Sequence, residues 1–168
     1  TSIMYSGATK LATTSSGVDV TGTAVTDGLT VAGNVSVDGG TIKLDGNYPV
    51  GTENVALGNT ALDSVTSGDY NTAIGSSALT DNTTGSALTA IGFQALENTT
   101  VDNDTVAIGV NAARNATSSF SVIIGSQANA VGAMTGDANT YVGYVSGFQN
   151  TSGANNTGIG KSALTANT

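Results

Sequence analysis

A five-residue pattern returns every 17 residues, and no other feature restricts the possible folds of this chain as much. It reads NVALG from Asn54, NTAIG from Asn71, LTAIG from Leu88, TVAIG from Thr105, SVIIG from Ser121, NTYVG from Asn139 and NTGIG from Asn156. The closing glycines, Gly58, Gly75, Gly92, Gly109, Gly125, Gly143 and Gly160, are 17, 17, 17, 16, 18 and 17 residues apart. One deletion is cancelled by the next insertion, as expected if 17 residues make one structural rung. So short a rung cannot bury an apolar face alone, and stacking on its neighbours solves that problem. The expected fold is all-β: a parallel β-roll or β-solenoid of seven rungs over residues 51–168, extending roughly 34 Å at about 4.8 Å per stacked strand.

Within the pattern, side-chain alternation puts the second and fourth positions on one side of a strand and the third on the other. The fourth position is aliphatic in every copy: Leu57, Ile74, Ile91, Ile108, Ile124, Val142 and Ile159. That column is the expected buried spine. The third position reads Ala56, Ala73, Ala90, Ala107, Ile123, Tyr141 and Gly158, mostly small, as where another backbone or subunit comes close. A second short segment follows: Ala61-Leu62, Ala78-Leu79, Ala95-Leu96, Ala112-Ala113, Ala128-Asn129, Ser146-Gly147 and Ala163-Leu164. Gly, Asn, Asp, Ser and Thr fill the intervals, and these are turn formers. So few apolar side chains per rung make a thin core, which association of several chains would thicken, with a threefold axis expected for a fibre.

Residues 1–50 have a different texture. Alternating pairs at Val18/Val20, Leu29/Val31, Val35/Val37 and Ile42/Leu44, separated by glycines, predict four short strands in a connector or stalk. Pro49, the single proline, favours an extended or turn conformation and marks the boundary. The segment TSIMYSGATK lacks the basic start and apolar run of a signal peptide, and SALTANT ends inside the seventh copy, so a longer parent protein is expected.

Composition narrows the function classes. Only Lys10, Lys43, Arg114 and Lys161 are basic and the net charge is −8, which speaks against nucleic acid as a partner. Without Cys or His there is no thiolate or imidazole nucleophile, base or zinc ligand; hydrolysis by paired carboxylates stays open, but nothing in the sequence selects such a pair, and no enzyme, cofactor or metal is expected. The longest apolar stretches, such as Val122-Ile123-Ile124, fall far short of a membrane span of about 20 residues, and no membrane insertion is expected.

Local strings are weaker signals. GIGKS at Gly158–Ser162 suggests a phosphate loop around Lys161, but position 155 is Asn155 where that motif requires glycine, and the string is the seventh repeat. Glu97, Asp102 and Asp104 invite a calcium reading without the spacing of a calcium loop, and they read instead as turn residues. Aromatic side chains are scarce, so Phe93, Tyr144 and Phe148 are the candidate contacts for a receptor or glycan, with packing between subunits the preferred reading, above all for Tyr141. The register also pairs Glu97 with Arg114 and Tyr144 with Lys161 in consecutive rungs.

The repeats NTAIGSSAL and TVAIGVNAA resemble the head repeats of trimeric autotransporter adhesins, which carry an SVAIG-like strand in a left-handed parallel β-roll with a shorter rung. Repeats of the longer NTAIG…AL…NTTG kind look like those of marine bacteriophage tail fibres, and the opening SIMYSGATKLATTSSGVDVTGTAVTDGLTVAGN is similar to segments of such structural proteins. This resemblance implies a structural segment of a homotrimeric virion tail fibre that spaces or presents a host-binding tip. Its partners would be further copies of itself, other fibre or virion proteins, and a host surface glycan or protein. A bacterial adhesin head is the alternative. An ice-binding solenoid ranks third, because the second-position column Val55, Thr72, Thr89, Val106, Val122, Thr140, Thr157 interrupts any threonine lattice.

Overall fold

The computed structural model describes the backbone of the strands β1 (Ser2–Tyr5), β2 (Ala8–Thr14) and β3 (Gly17–Val20), together with residues 51–131 and 133–166. The chain divides into two compact units, Thr1–Ile42 and Lys43–Thr168. In the first, β2 lies between β1 and β3 in an antiparallel sheet, with Ile3 opposite Leu11 and Leu11 opposite Val20. The expected strand around Val18 and Val20 is therefore β3. β1 and β2 were not expected, because SIMY and ATKLATT lack regular apolar alternation. The strands expected around Leu29/Val31, Val35/Val37 and Ile42/Leu44, and the boundary at Pro49, lie outside the described residues.

The second unit is a parallel β-solenoid, and no helix occurs among its described residues. Each repeat supplies one three-residue strand: β4 (Val55–Leu57), β5 (Thr72–Ile74), β6 (Thr89–Ile91), β7 (Val106–Ile108), β8 (Val122–Ile124), β9 (Thr140–Val142) and β10 (Thr157–Ile159). They form one sheet in chain order. The third positions stack without a slip, Ala56 on Ala73, Ala73 on Ala90, Ala90 on Ala107, Ala107 on Ile123, Ile123 on Tyr141 and Tyr141 on Gly158. The 16- and 18-residue spacings are thus absorbed in the turns, and the sheet register is untouched.

Glycine ends every strand for two reasons that act together. At Gly109 the backbone has φ 134°, and a Cβ there would lie 2.6 Å from the carbonyl of Gly125 in the next rung. No L side chain fits either condition cheaply. The segments after the glycines are more ordered than their turn composition suggests. Three further columns of mostly non-glycine residues adopt positive φ, among them Gln94 (56°), Leu79 (53°) and Ala87 (57°). Each such residue costs about 1–2 kcal/mol. In return its amide points along the stack: Gln94 N–H donates to the Ser76 carbonyl at 3.0 Å, Leu79 N–H to Ala95 at 3.1 Å, and Ala87 N–H to Asp69 at 2.9 Å. The turns therefore form additional inter-rung ladders that meet their own backbone groups.

The interior corrects one expectation. The column Leu57, Ile74, Ile91, Ile108, Ile124, Val142, Ile159 does stack in register, but it lies on the outer face of the chain: Leu57 is 49% and Ile159 71% exposed, and the members between range from exposed to half-buried. The third position points inward instead, with Ala73, Ala90, Ala107, Ile123 and Tyr141 fully buried. The reason is the width of the coil. The opposite wall contributes Leu62, Leu79 and Leu96, all fully buried, and a small third-position residue leaves room for each leucine. Tyr141 proves the constraint: its ring fills the interior of its own coil, where the ninth position of that repeat is Gly147, whose added Cβ would come within 2.5 Å of the ring. Tyr141 therefore packs within one chain, contrary to the expectation that it bridges subunits. Its hydroxyl oxygen accepts from Asn150 Nδ2 at 2.7 Å.

First positions share the inward parity, and all but Leu88 are polar. Asn71 Nδ2 donates to the Gly85 carbonyl at 2.9 Å while its Oδ1 accepts from Leu88 N–H at 3.0 Å. Asn54 and Asn139 make the same two bonds in their own rungs. A second side-chain ladder closes the nearby corner: Thr52 N–H donates to Asp69 Oδ1, Asp69 N–H to Ser86 Oγ, Ser86 N–H to Asn103 Oδ1, Asn103 N–H to Ser119 Oγ and Ser119 N–H to Asp137 Oδ1. Alternating Asx and Ser residues thus satisfy the amides of a corner that the backbone cannot pair.

Candidate interaction face

The outward parity of the second and fourth positions creates the most distinctive surface of the solenoid. The fourth column is aliphatic throughout, and the second adds Val55, Val106 and Val122 among threonines. No charged side chain occurs in either column. At about 4.8 Å per rung and a strip about 10 Å wide, seven rungs present on the order of 300 Å² of largely apolar surface, at the scale where patches on soluble chains mark interactions. Carboxylates are kept off it: Glu53, Asp63, Asp69, Asp81, Glu97, Asp104 and Asp137 all lie in the segments between strands. The sheet face and the turn faces therefore differ in chemistry along the whole stack.

The sixth position borders this face, with Phe93, Val110 and Tyr144 respectively 47%, 46% and 49% exposed. Lys161 follows Tyr144 in that column, its Nζ 6.0 Å from the ring centroid, which confirms the second of the two expected inter-rung pairs. The first is closer, with Arg114 Nε 2.6 Å from Glu97 Oε2. Of the three aromatic residues expected as receptor contacts, Phe93 and Tyr144 share the sixth column three rungs apart. Phe148 is half-buried in the tenth column, with Glu97 and Arg114. Tyr70 and Phe120, exposed at 59% and 61%, occupy the column just before the strands and were missed as a pair; both have positive φ.

The remaining strings resolve simply. Gly158–Ser162 forms the end of β10 and the turn after it, and no helix follows among the described residues. Glu97 is engaged by Arg114, Asp102 is buried and Asp104 exposed; among the described residues no group of three or more acidic side chains could hold a metal ion. No helix among them is long and apolar enough to cross a membrane. Comparison with family models, with curated proteins and with solved structures finds no match for this chain.

Proposed function

We propose that the solenoid is a rigid segment of a homotrimeric fibre on a virion, three copies being joined through the second- and fourth-position columns. One observation carries this reading: an uncharged, largely aliphatic column runs outward along the entire stack while the interior is already filled by the third and ninth positions. An apolar ladder that the chain does not need for its own core is accounted for by burial against something of the same period. A second copy has that period by construction, and its like-charged turns would remain outside, where the −8 charge disfavours lateral aggregation. Three aligned rods hold distal sites at fixed geometry and raise avidity without new contacts. The tail-fibre reading rests on the likeness of the opening segment and the repeats to phage structural proteins; a bacterial adhesin head would use the same face in the same way. No enzymatic step is part of this role.

Light scattering on the intact chain tests it. The expected mass is three times 16.4 kDa. Replacing Ile91 and Ile108 together by Glu, at outward positions, is expected to give a folded monomer with unchanged far-UV circular dichroism. A monomeric native chain, or a double variant that stays trimeric, would refute the interface.

A further inference from the structure

A carboxyl group stands in a column that the stack fills mostly with glycine. The fifteenth position is Gly68 in the first rung, Gly85 in the second and Asp102 in the third. Asp102 is 5% exposed. In the first two rungs the inward asparagine answers the carbonyl at this position, Asn54 on Gly68 at 2.8 Å and Asn71 on Gly85 at 2.9 Å. The third rung has Leu88 instead, so no amide side chain accompanies Asp102.

Its surroundings suit a carboxylic acid better than a carboxylate. Oδ2 of Asp102 has no hydrogen-bond partner, and neither does the buried Ser118 Oγ, whose backbone amide faces the same carboxyl. Thr99 also faces it, but its hydroxyl is engaged as well by the Ala116 carbonyl, to which it donates at 2.8 Å. The charged group that acts on the site is Asp137, which repels a carboxylate. Of the cations among the described residues, Arg114 is held by Glu97 and Lys161 lies over Tyr144. Burial first, and Asp137 second, push the Asp102 carboxyl up to about 6, while the Ser118 amide and the Thr99 hydroxyl offset part of the rise.

We propose that Asp102 is a proton-binding site inside the solenoid, whose neutral form fits the buried third to fifth rungs and whose charged form loosens them. The sign follows from linkage. Between an unfolded value of 3.8 and a folded value of about 6, the folded chain holds a proton that the unfolded chain has released. Stability from this group is therefore greatest below that window and falls as the pH rises through it. The full effect is on the order of a hundredfold in the folding equilibrium. This property does not depend on the fibre reading, because the carboxyl lies inside one chain.

The test compares the intact chain with Asp102→Asn, a neutral side chain of the same shape, in denaturant melts from pH 4 to pH 8 and by carboxyl carbon NMR. The native chain is expected to show a carboxyl titrating near 6 and to lose stability across that range. The variant should lose that component of the pH dependence and exceed the native chain at pH 8. Faster amide exchange at Thr105 and Ser121 in the native chain at pH 8, absent in the variant, would locate the loosening. No carboxyl titrating near 6 in the native chain, or equal pH dependence in both chains, would overturn the proposal. So would stabilisation of the native chain alone by calcium at pH 8, since the site would then hold a cation.

Discussion

The first three rungs and the sixth fill the same interior by opposite means. Early rungs place alanine on the sheet wall, at Ala73 and Ala90, and leucine on the turn wall, at Leu79 and Leu96. The sixth places Tyr141 on the sheet wall and Gly147 on the turn wall. Backbone conformation hardly changes in the exchange: Gly147 has φ 62°, against 57°, 53° and 50° at Leu62, Leu79 and Leu96. A solenoid of this width thus specifies a sum of volumes across the coil, and individual positions are free to trade. The polar ladder changes elsewhere, in the fourth and fifth rungs. Asn54, Asn71 and Asn139 serve their rungs with two bonds each, whereas Thr105 and Ser121 have shorter hydroxyl side chains and longer bonds, 3.4 Å from Ser121 N–H to Thr105 Oγ1 and 3.2 Å from Asn139 N–H to Ser121 Oγ.

Exchanging the core pair is the strongest way to break this contrast. Tyr141→Ala should cost about 3–5 kcal/mol in urea unfolding by opening a cavity opposite glycine. Adding Gly147→Leu, which recreates the early-rung pair, should recover most of that loss, while Gly147→Leu alone should destabilise by overpacking against the ring. If the double variant is no more stable than Tyr141→Ala, volume is not what the two walls exchange. The polar ladders come next. Asn71→Ala leaves the Leu88 amide unmet and the Gly85 carbonyl with Asn82 alone, and should cost about 2–3 kcal/mol, whereas Ser121→Ala orphans one weakly bonded amide and should cost about 1–2 kcal/mol. Equal losses at the two sites would remove the distinction between amide and hydroxyl ladders. The smallest effect sharpens register alone: Arg114→Ala should change stability by about 0–1 kcal/mol, because the pair with Glu97 is partly exposed.

Much of this architecture was legible in the chain itself. The period of 17, the cancelling deletion and insertion, the strand positions and the parallel stacking all follow from repetition. So do both inter-rung pairs, since residues one period apart must become neighbours once rungs stack. Which face of the strand points inward was not read correctly. Alternation divides a strand into two sides but does not say which side is the interior, and aliphatic content pointed to the wrong one. A signal existed: Tyr141 and Gly147 change together within one repeat, which marks the third and ninth positions as sharing a cavity. The asparagines at the first position carried the same parity and read only as the polar start of the pattern. Their role as inward ladders depends on carbonyls fourteen residues away, at Gly68 and Gly85.

Sequence alone determined that this chain must stack on itself with a fixed step, because identical short units can bury apolar surface only against one another. Only the tertiary structure decided what each side of the strand faces, since that depends on the distance across the coil between the two walls formed by the third and ninth positions. The same closure set Asp102 among buried hydroxyls and left the Ile91 and Ile108 column on the outside.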